Sequence, residues 1–120
     1  LHVRSRRQRQ MCIRDRIDCA RAAVGMLAPD GIAVVHDGPA GCAVMVAGEP
    51  TVVPGFPQQP VDTNGAGDCH TGVMLAARMS GASWPEACRR ANAAAAIKVT
   101  RRGPTASPSH DELEAFLADL

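Results

Sequence analysis

At 120 residues the chain can bury one modest core and no more. Its 46% apolar content comes mostly from Ala, Val, Leu and Ile, with Phe56, Trp84 and Phe116 as the whole aromatic complement. That counts against a base-stacking nucleic-acid surface, and no apolar run is long enough for a membrane-spanning helix. The net charge of +1 conceals an asymmetry, because residues 1–16 hold six arginines and a single acid, Asp15. With that segment set aside, the 13 basic and 12 acidic groups become 7 and 11, a formal −4.

The arginine-rich head has no apolar signal core, and Met11-Cys12-Ile13-Arg14-Asp15-Arg16 resembles translated adapter sequence. Residues 1–16 are therefore expected to be non-native or disordered, with the fold confined to 17–120. Ile17, Ala20, Val24 and Leu27 recur at helical spacing, and Pro29-Asp30-Gly31 is expected to stop that helix. Ile32 to Val35 reads as a strand buried on both faces. Asp37 to Gly41 is a turn, and Cys42 to Ala47 a second strand that closes a hairpin. Gly48-Glu49-Pro50 turns the chain again into a short strand at Thr51–Val53, and a proline-rich connector follows from Pro54 to Pro60.

Helical patterns fill the rest. A helix over roughly 67–80 has Val73, Ala76, Ala77 and Met79 available for burial, with Gly81 as terminator. Ser83-Trp84-Pro85-Glu86 reads as a capping box opening a second, alanine-rich helix, and Ser109-His110-Asp111-Glu112 as another. Leu113, Phe116, Leu117 and Leu120 form the apolar stripe of the last helix. The five cysteines (12, 19, 42, 69, 88) are odd in number and lack a Cys-x-x-Cys pair, which argues against a disulfide framework or zinc site. Reduced thiols in a cytoplasmic protein are the expectation, with Cys69 as a packing residue.

The most informative stretch is Asp62-Thr63-Asn64-Gly65-Ala66-Gly67-Asp68. Two glycines and an alanine between two carboxylates, at the start of a helix, can present bare N–H groups to an anion. Asp68 at the edge of that hole is placed to act as a general base toward a hydroxyl. A Walker loop is absent, and His70 stands where a dinucleotide fingerprint needs its third glycine.

This run, continued by Cys69-His70-Thr71-Gly72, resembles the Asp-Thr-x-Gly-Ala-Gly-Asp signature of the ribokinase-like (PfkB) carbohydrate kinases. His70 replaces a common Phe. His36-Asp37-Gly38-Pro39-Ala40-Gly41 is similar to the family's Thr-x-Gly-x-x-Gly turn, with His36 where Thr is usual. Ala91 to Ala96, then Val99 to Gly103 and Ser107, resemble its adenine-side helix and cation loop. The resemblance covers about residues 17–120.

The resemblance implies an α/β fold, the C-terminal part of a ribokinase-like kinase with a partial sheet flanked by helices. It implies ATP-dependent phosphorylation of a sugar or nucleoside hydroxyl, with Asp68 as base and the N–H groups of Gly65, Ala66 and Gly67 as anion hole. Gly38 and Gly41, together with Gly67, would lie near the nucleotide phosphates and Asn92 beside the adenine. The side chains of Asp62 and Ser107, with the carbonyls of Asn64, Lys98, Arg101 and Gly103, would hold a potassium-type monovalent cation. Mg²⁺ would accompany ATP on residues upstream of this chain. A homodimer at full length, and no nucleic-acid or membrane partner, complete the expectation.

The family fold is more than twice this length, so the chain is expected to be a weakly active or inactive fragment. Two alternatives stand beside this reading. One is a pyridoxal- or hydroxymethylpyrimidine-type kinase of the same superfamily, although those carry Cys where Asp68 sits. The other is a non-catalytic fragment whose basic head binds nucleic acid in a salt-sensitive way.

Overall fold

A computed structural model describes residues 6–27 and 30–120, with side chains from residue 14 onward. The elements are α1 (Arg6–Val24), β1 (Ala33–His36), β2 (Gly41–Val46), β3 (Glu49–Pro54), α2 (Ala66–Met79), α3 (Trp84–Val99) and α4 (His110–Ala118), with a 3-10 turn at Gly38–Ala40. Expectations for residues 1–5, the Cys12 thiol and a stop at Pro29 lie outside the described residues. The expected boundary between residues 16 and 17 falls inside α1. Arg16 is buried there, donates to the Ala40 carbonyl at 2.9 Å and pairs with Asp37 at 3.4 Å.

The sheet is antiparallel in the order β1-β2-β3. Ala33 faces Met45 and His36 faces Cys42 across the first pair; Gly41 faces Pro54 and Val46 faces Glu49 across the second. The β2–β3 turn is the two residues Ala47 and Gly48, both at positive φ (50° and 81°), which matches the right-handed twist of a hairpin. The turn thus comes one residue earlier than Gly48-Glu49-Pro50 predicts, and β3 is longer. Pro50 is tolerated because β3 is an edge strand.

Burial on both faces belongs to β2, not to β1 as the apolar run at 32–35 suggests. Along β2, Cys42 and Val44 point toward α2 and α3, where they pack with Val53, Met74, Ala87, Cys88 and Ala91. Ala43 and Met45 point the other way, packing with Ala20 of α1 and Ala33 of β1. Each fully buried Val or Met contributes roughly 1.5–3 kcal/mol. β1 keeps only Ala33 buried because it has one hydrogen-bonded neighbour among the described strands. The result is an α/β arrangement, a small sheet flanked by helices.

In α2 the buried residues are Cys69, His70 and Met74, whereas Met79 is 90% exposed and Ala76 is also outside. The inward stripe is set by Cys69, Val73 and Met74 packing on α3, which rotates Met79 outward. The alanines of α3 let it lie close: Ala87, Ala91, Ala93 and Ala94 are fully buried. Ser83 accepts from the Glu86 N–H at 3.3 Å, but the reciprocal half of that box is not made; Glu86 pairs with Arg89 at 3.7 Å. The second box is complete, with Ser109 and Glu112 bonded both ways at 3.2 and 2.7 Å. Leu113 is buried, while Leu120 is 64% exposed, beyond the end of α4. Among the described residues, no helix is long and apolar enough to cross a membrane.

Candidate active site

The Asp62–Asp68 segment is held from below by a polar staple. Asp62 Oδ1 accepts from the Asn64 N–H at 2.9 Å, and Oδ2 from the Gly103 N–H at 2.8 Å. These backbone donors, Asn64 first, hold the Asp62 carboxyl below its usual range. Lys98, fully buried on α3, sends Nζ to the Asp62 carbonyl at 2.7 Å and the Arg101 carbonyl at 3.3 Å. From outside, Arg101 reaches Glu112 of α4 through two bonds at 3.2 and 2.9 Å. The loop so fixed meets Gly65. A Cβ there would lie 2.2 Å from the Pro104 carbonyl oxygen, and φ is +79°, so glycine is required twice over.

Gly65 is the N-cap of α2. The N–H of Ala66 turns back to the Thr63 carbonyl at 3.2 Å, so that member of the expected anion hole is already engaged. The N–H groups of Gly67 and Asp68 find no acceptor within the described residues. Both open donors point along the positive end of the helix dipole. Asp68 lies in the first turn, exposed, with no bond to its carboxylate.

A cavity of about 380 Å³ adjoins this helix end, within the size range of small-ligand sites. Thr63, Ala66 and Gly67 form one wall; Gly38, Pro39 and Gly41 another; Ala95, Ala96 and Val99 of α3 a third. Gly41 has φ +101°, and a Cβ would meet the Val53 carbonyl oxygen at 2.2 Å. Asn92 lines the cavity, but its polar atoms are largely committed. Nδ2 donates to the carbonyls of Val53 and Pro54, each at 3.1 Å, and Oδ1 faces His70 Nε2 at 2.9 Å. Two carbonyls fix the amide orientation, so His70 carries its proton on Nε2. Its Nδ1 is buried at the cavity with no hydrogen-bond partner among the described residues.

His36 and His70 stand where the resemblance has Thr and Phe. They meet at this cavity, ring centroids 3.9 Å apart. Partial burial, then His70, lowers the His36 pKa and favours the neutral ring. The signal in the sequence is that each departs from its own motif, but nothing in the sequence sets residues 34 apart in contact. Cys42 and Cys88 sit behind, buried and free; its bond to Cys42 and burial push the Cys88 thiol up.

The donor set expected for a monovalent cation is largely engaged within the protein, and a lysine ammonium lies among its carbonyls. The Lys98 carbonyl accepts from Arg101 N at 2.9 Å, the Gly103 carbonyl from Ala106 N at 3.4 Å, and the Arg101 carbonyl from Lys98 Nζ. Asp62 has both oxygens engaged, and Ser107 is exposed with no bond to the loop. Asn64 alone keeps its carbonyl free of a donor. A second cation at about 4 Å from the ammonium would meet a repulsion of about 4 kcal/mol at an effective dielectric near 20. For a divalent ion, no group of three or more His, Cys, Asp or Glu able to hold a metal occurs among the described residues.

An open helix N-terminus, a glycine turn facing it and an apolar slot between them form, in an α/β fold, a cavity whose chemistry suits an anion beside an apolar group. The pfkB family carbohydrate kinase pattern matches residues 9–111, and the chain belongs to that family. It is 46% identical over 66 residues to the bifunctional protein HldE of Bradyrhizobium sp. (strain ORS 278), covering 55% of this chain and 13% of that protein. A ribokinase from Thermotoga maritima superposes with a TM-score of 0.77 at 28% identity, over 94% of this chain and 40% of the ribokinase. The fructokinase of Vibrio cholerae O395 in its fructose-, ADP- and calcium-bound form gives 0.71 at 30% identity, over 83% and 34%. A double mutant of that fructokinase binds fructose, ADP and a potassium ion. The chain thus spans well under half the length of these relatives.

Proposed function

We propose that this chain supplies the nucleotide- and phosphate-binding half of an ATP-dependent kinase that phosphorylates a hydroxyl of a sugar or nucleoside in the cytoplasm. The observation that carries this reading is one juxtaposition. Gly67, with its open N–H, and the Gly38 and Gly41 turn line one apolar slot, and Asp68, with an open N–H and a free carboxylate, is the next residue of the same helix start. Ala95, Ala96 and Val99 suit a flat base, and the glycine turn suits the phosphates that follow it.

In this reading Asp68 accepts the proton of the acceptor hydroxyl as its oxygen bonds to the γ-phosphorus, and the bond to ADP breaks. The N–H groups of Gly67 and Asp68 hold the charge that gathers on the transferring phosphoryl oxygens, each contributing roughly 3–4 kcal/mol. Mg²⁺ brought with ATP would offset charge on the phosphates. Gly65, braced on Pro104, fixes the direction of the helix end and thus of both donors. The acceptor's identity rests on residues outside this chain.

The test is Asp68→Asn in the complete polypeptide. Turnover with ATP and a panel of sugars and nucleosides is expected to fall by about 10²–10⁴, with the unfolding midpoint unchanged. Near-normal turnover would remove Asp68 from the role of base.

A further inference from the structure

Lysine is almost never fully buried unless its charge is paired, yet Lys98 has no exposed surface. Its Nζ bridges two carbonyls from segments 39 residues apart, Asp62 at 2.7 Å and Arg101 at 3.3 Å. The same two segments are joined a second time by the Asp62 carboxylate, through the N–H groups of Asn64 and Gly103. One positive and one negative group therefore fasten residues 62–64 to 101–103, and the adjoining Pro104 abuts Gly65 at the start of α2. Bridging carbonyls of this loop and lending positive potential to the helix end are the services a bound monovalent cation would give. A tethered ammonium gives both without a binding equilibrium.

We propose that the Lys98 ammonium takes the place of a monovalent cation at this loop, so that the protein neither needs nor binds potassium there. The inference rests on the kinase reading above. Lys98 is a positioning residue in it, acting on the phosphoryl group only through Asp62, Gly103 and the start of α2.

The experiment exchanges potassium chloride for tetramethylammonium chloride at constant ionic strength on the complete polypeptide. It reads both the thermal unfolding midpoint and phosphoryl transfer from ATP to ribose and to fructose. The unmodified protein should have the same midpoint and rate in both salts. Lys98→Ala vacates the site and should lose about tenfold or more in rate without potassium. Potassium should then restore the rate and raise the midpoint of that variant.

A midpoint or rate of the unmodified protein that rises with potassium overturns the proposal, as does a Lys98→Ala protein indifferent to the salt. Should Lys98→Ala not fold, Lys98→Met keeps the stem without the charge. Its rate should be low in both salts, and a full rate would refute the role of the ammonium. The midpoints decide whether potassium binds even where neither ribose nor fructose accepts phosphate, so this proposal stands or falls apart from the kinase reading.

Discussion

Two aspartates six residues apart, at the ends of one heptapeptide, have opposite surroundings. Asp62 has both carboxylate oxygens filled by backbone donors, and those donors hold its carboxyl below the ordinary range. Asp68 is exposed at the first turn of α2, with no partner for its carboxylate among the described residues. A saturated carboxylate fixes a backbone; a bare one beside open N–H groups is free to take a proton. The motif is thus two structures joined at Gly65, a closed staple on one side and an open rim on the other.

The sharpest way to break this contrast is to neutralise each acid in turn. Asp68→Asn should cost the 10²–10⁴ in turnover given above and leave the midpoint alone. Asp62→Asn turns an acceptor into a group whose NH₂ faces the N–H of Asn64 or Gly103. It should lower the unfolding midpoint and raise the KM for ATP, with a smaller loss in kcat. Equal loss of turnover with equal midpoints in both variants would erase the distinction.

The two glycines sharpen the same contrast on a smaller scale. Gly65→Ala forces a Cβ onto the Pro104 carbonyl at positive φ and should destabilise by about 1–3 kcal/mol, read by denaturant titration. Gly67 has open space around it and an ordinary helical φ. Gly67→Ala should leave stability level or raise it by about 0.5–1 kcal/mol, while its methyl group at the cavity wall weakens ATP binding. If both variants lose stability alike, the open rim is not open.

The sequence carried the plan of the fold and less of its interior. Strand positions, the hairpin and four helices follow from periodicity and turn residues, because those are local signals. Which strand is doubly covered is not local. Ile32–Val35 reads as apolar as Cys42–Met45, and only the strand order makes β2 central. Met79 satisfies helical spacing but lies off the stripe that Met74 fixes against Cys88 and Ala91. Within the site, the backbone roles of Gly65 and Gly41 were legible, since glycine between turn residues marks dihedrals and close approach. Lys98 entered only through its carbonyl, and the bridging ammonium needed the fold to appear. Asn92, expected beside a base, lines the cavity; that it also struts α3 to the end of β3 and to His70 needed the fold to appear.

The smallest effect separates the inner and outer supports of the staple by acid. Two groups that hold the loop have depressed carboxyl pKa values: Glu112 of α4, held at about 2 by Arg101 and then by the Ser109 N–H, and Asp62, lowered by Asn64 and then Gly103. A depressed folded-state pKa means that stability is fully present above the unfolded value of 4.5 for Glu112, and is lost as pH falls toward about 2. The share of the midpoint carried by these two carboxylates should therefore be level from about pH 7 to about pH 5 and decline below that. This comes on top of the loss that the lowered His36 pKa brings as pH falls below 6.5. Glu112→Gln keeps part of the cap but loses the charge, so it should lower the midpoint slightly at neutral pH, as exposed pairs are weak, and make the acid decline shallower. The decline that survives in Glu112→Gln belongs to the inner support, and removing Asp62 as well should flatten it further. Identical acid slopes with and without Glu112 would mean that the outer clamp does not hold this loop, and that Asp62 and Lys98 hold it from within.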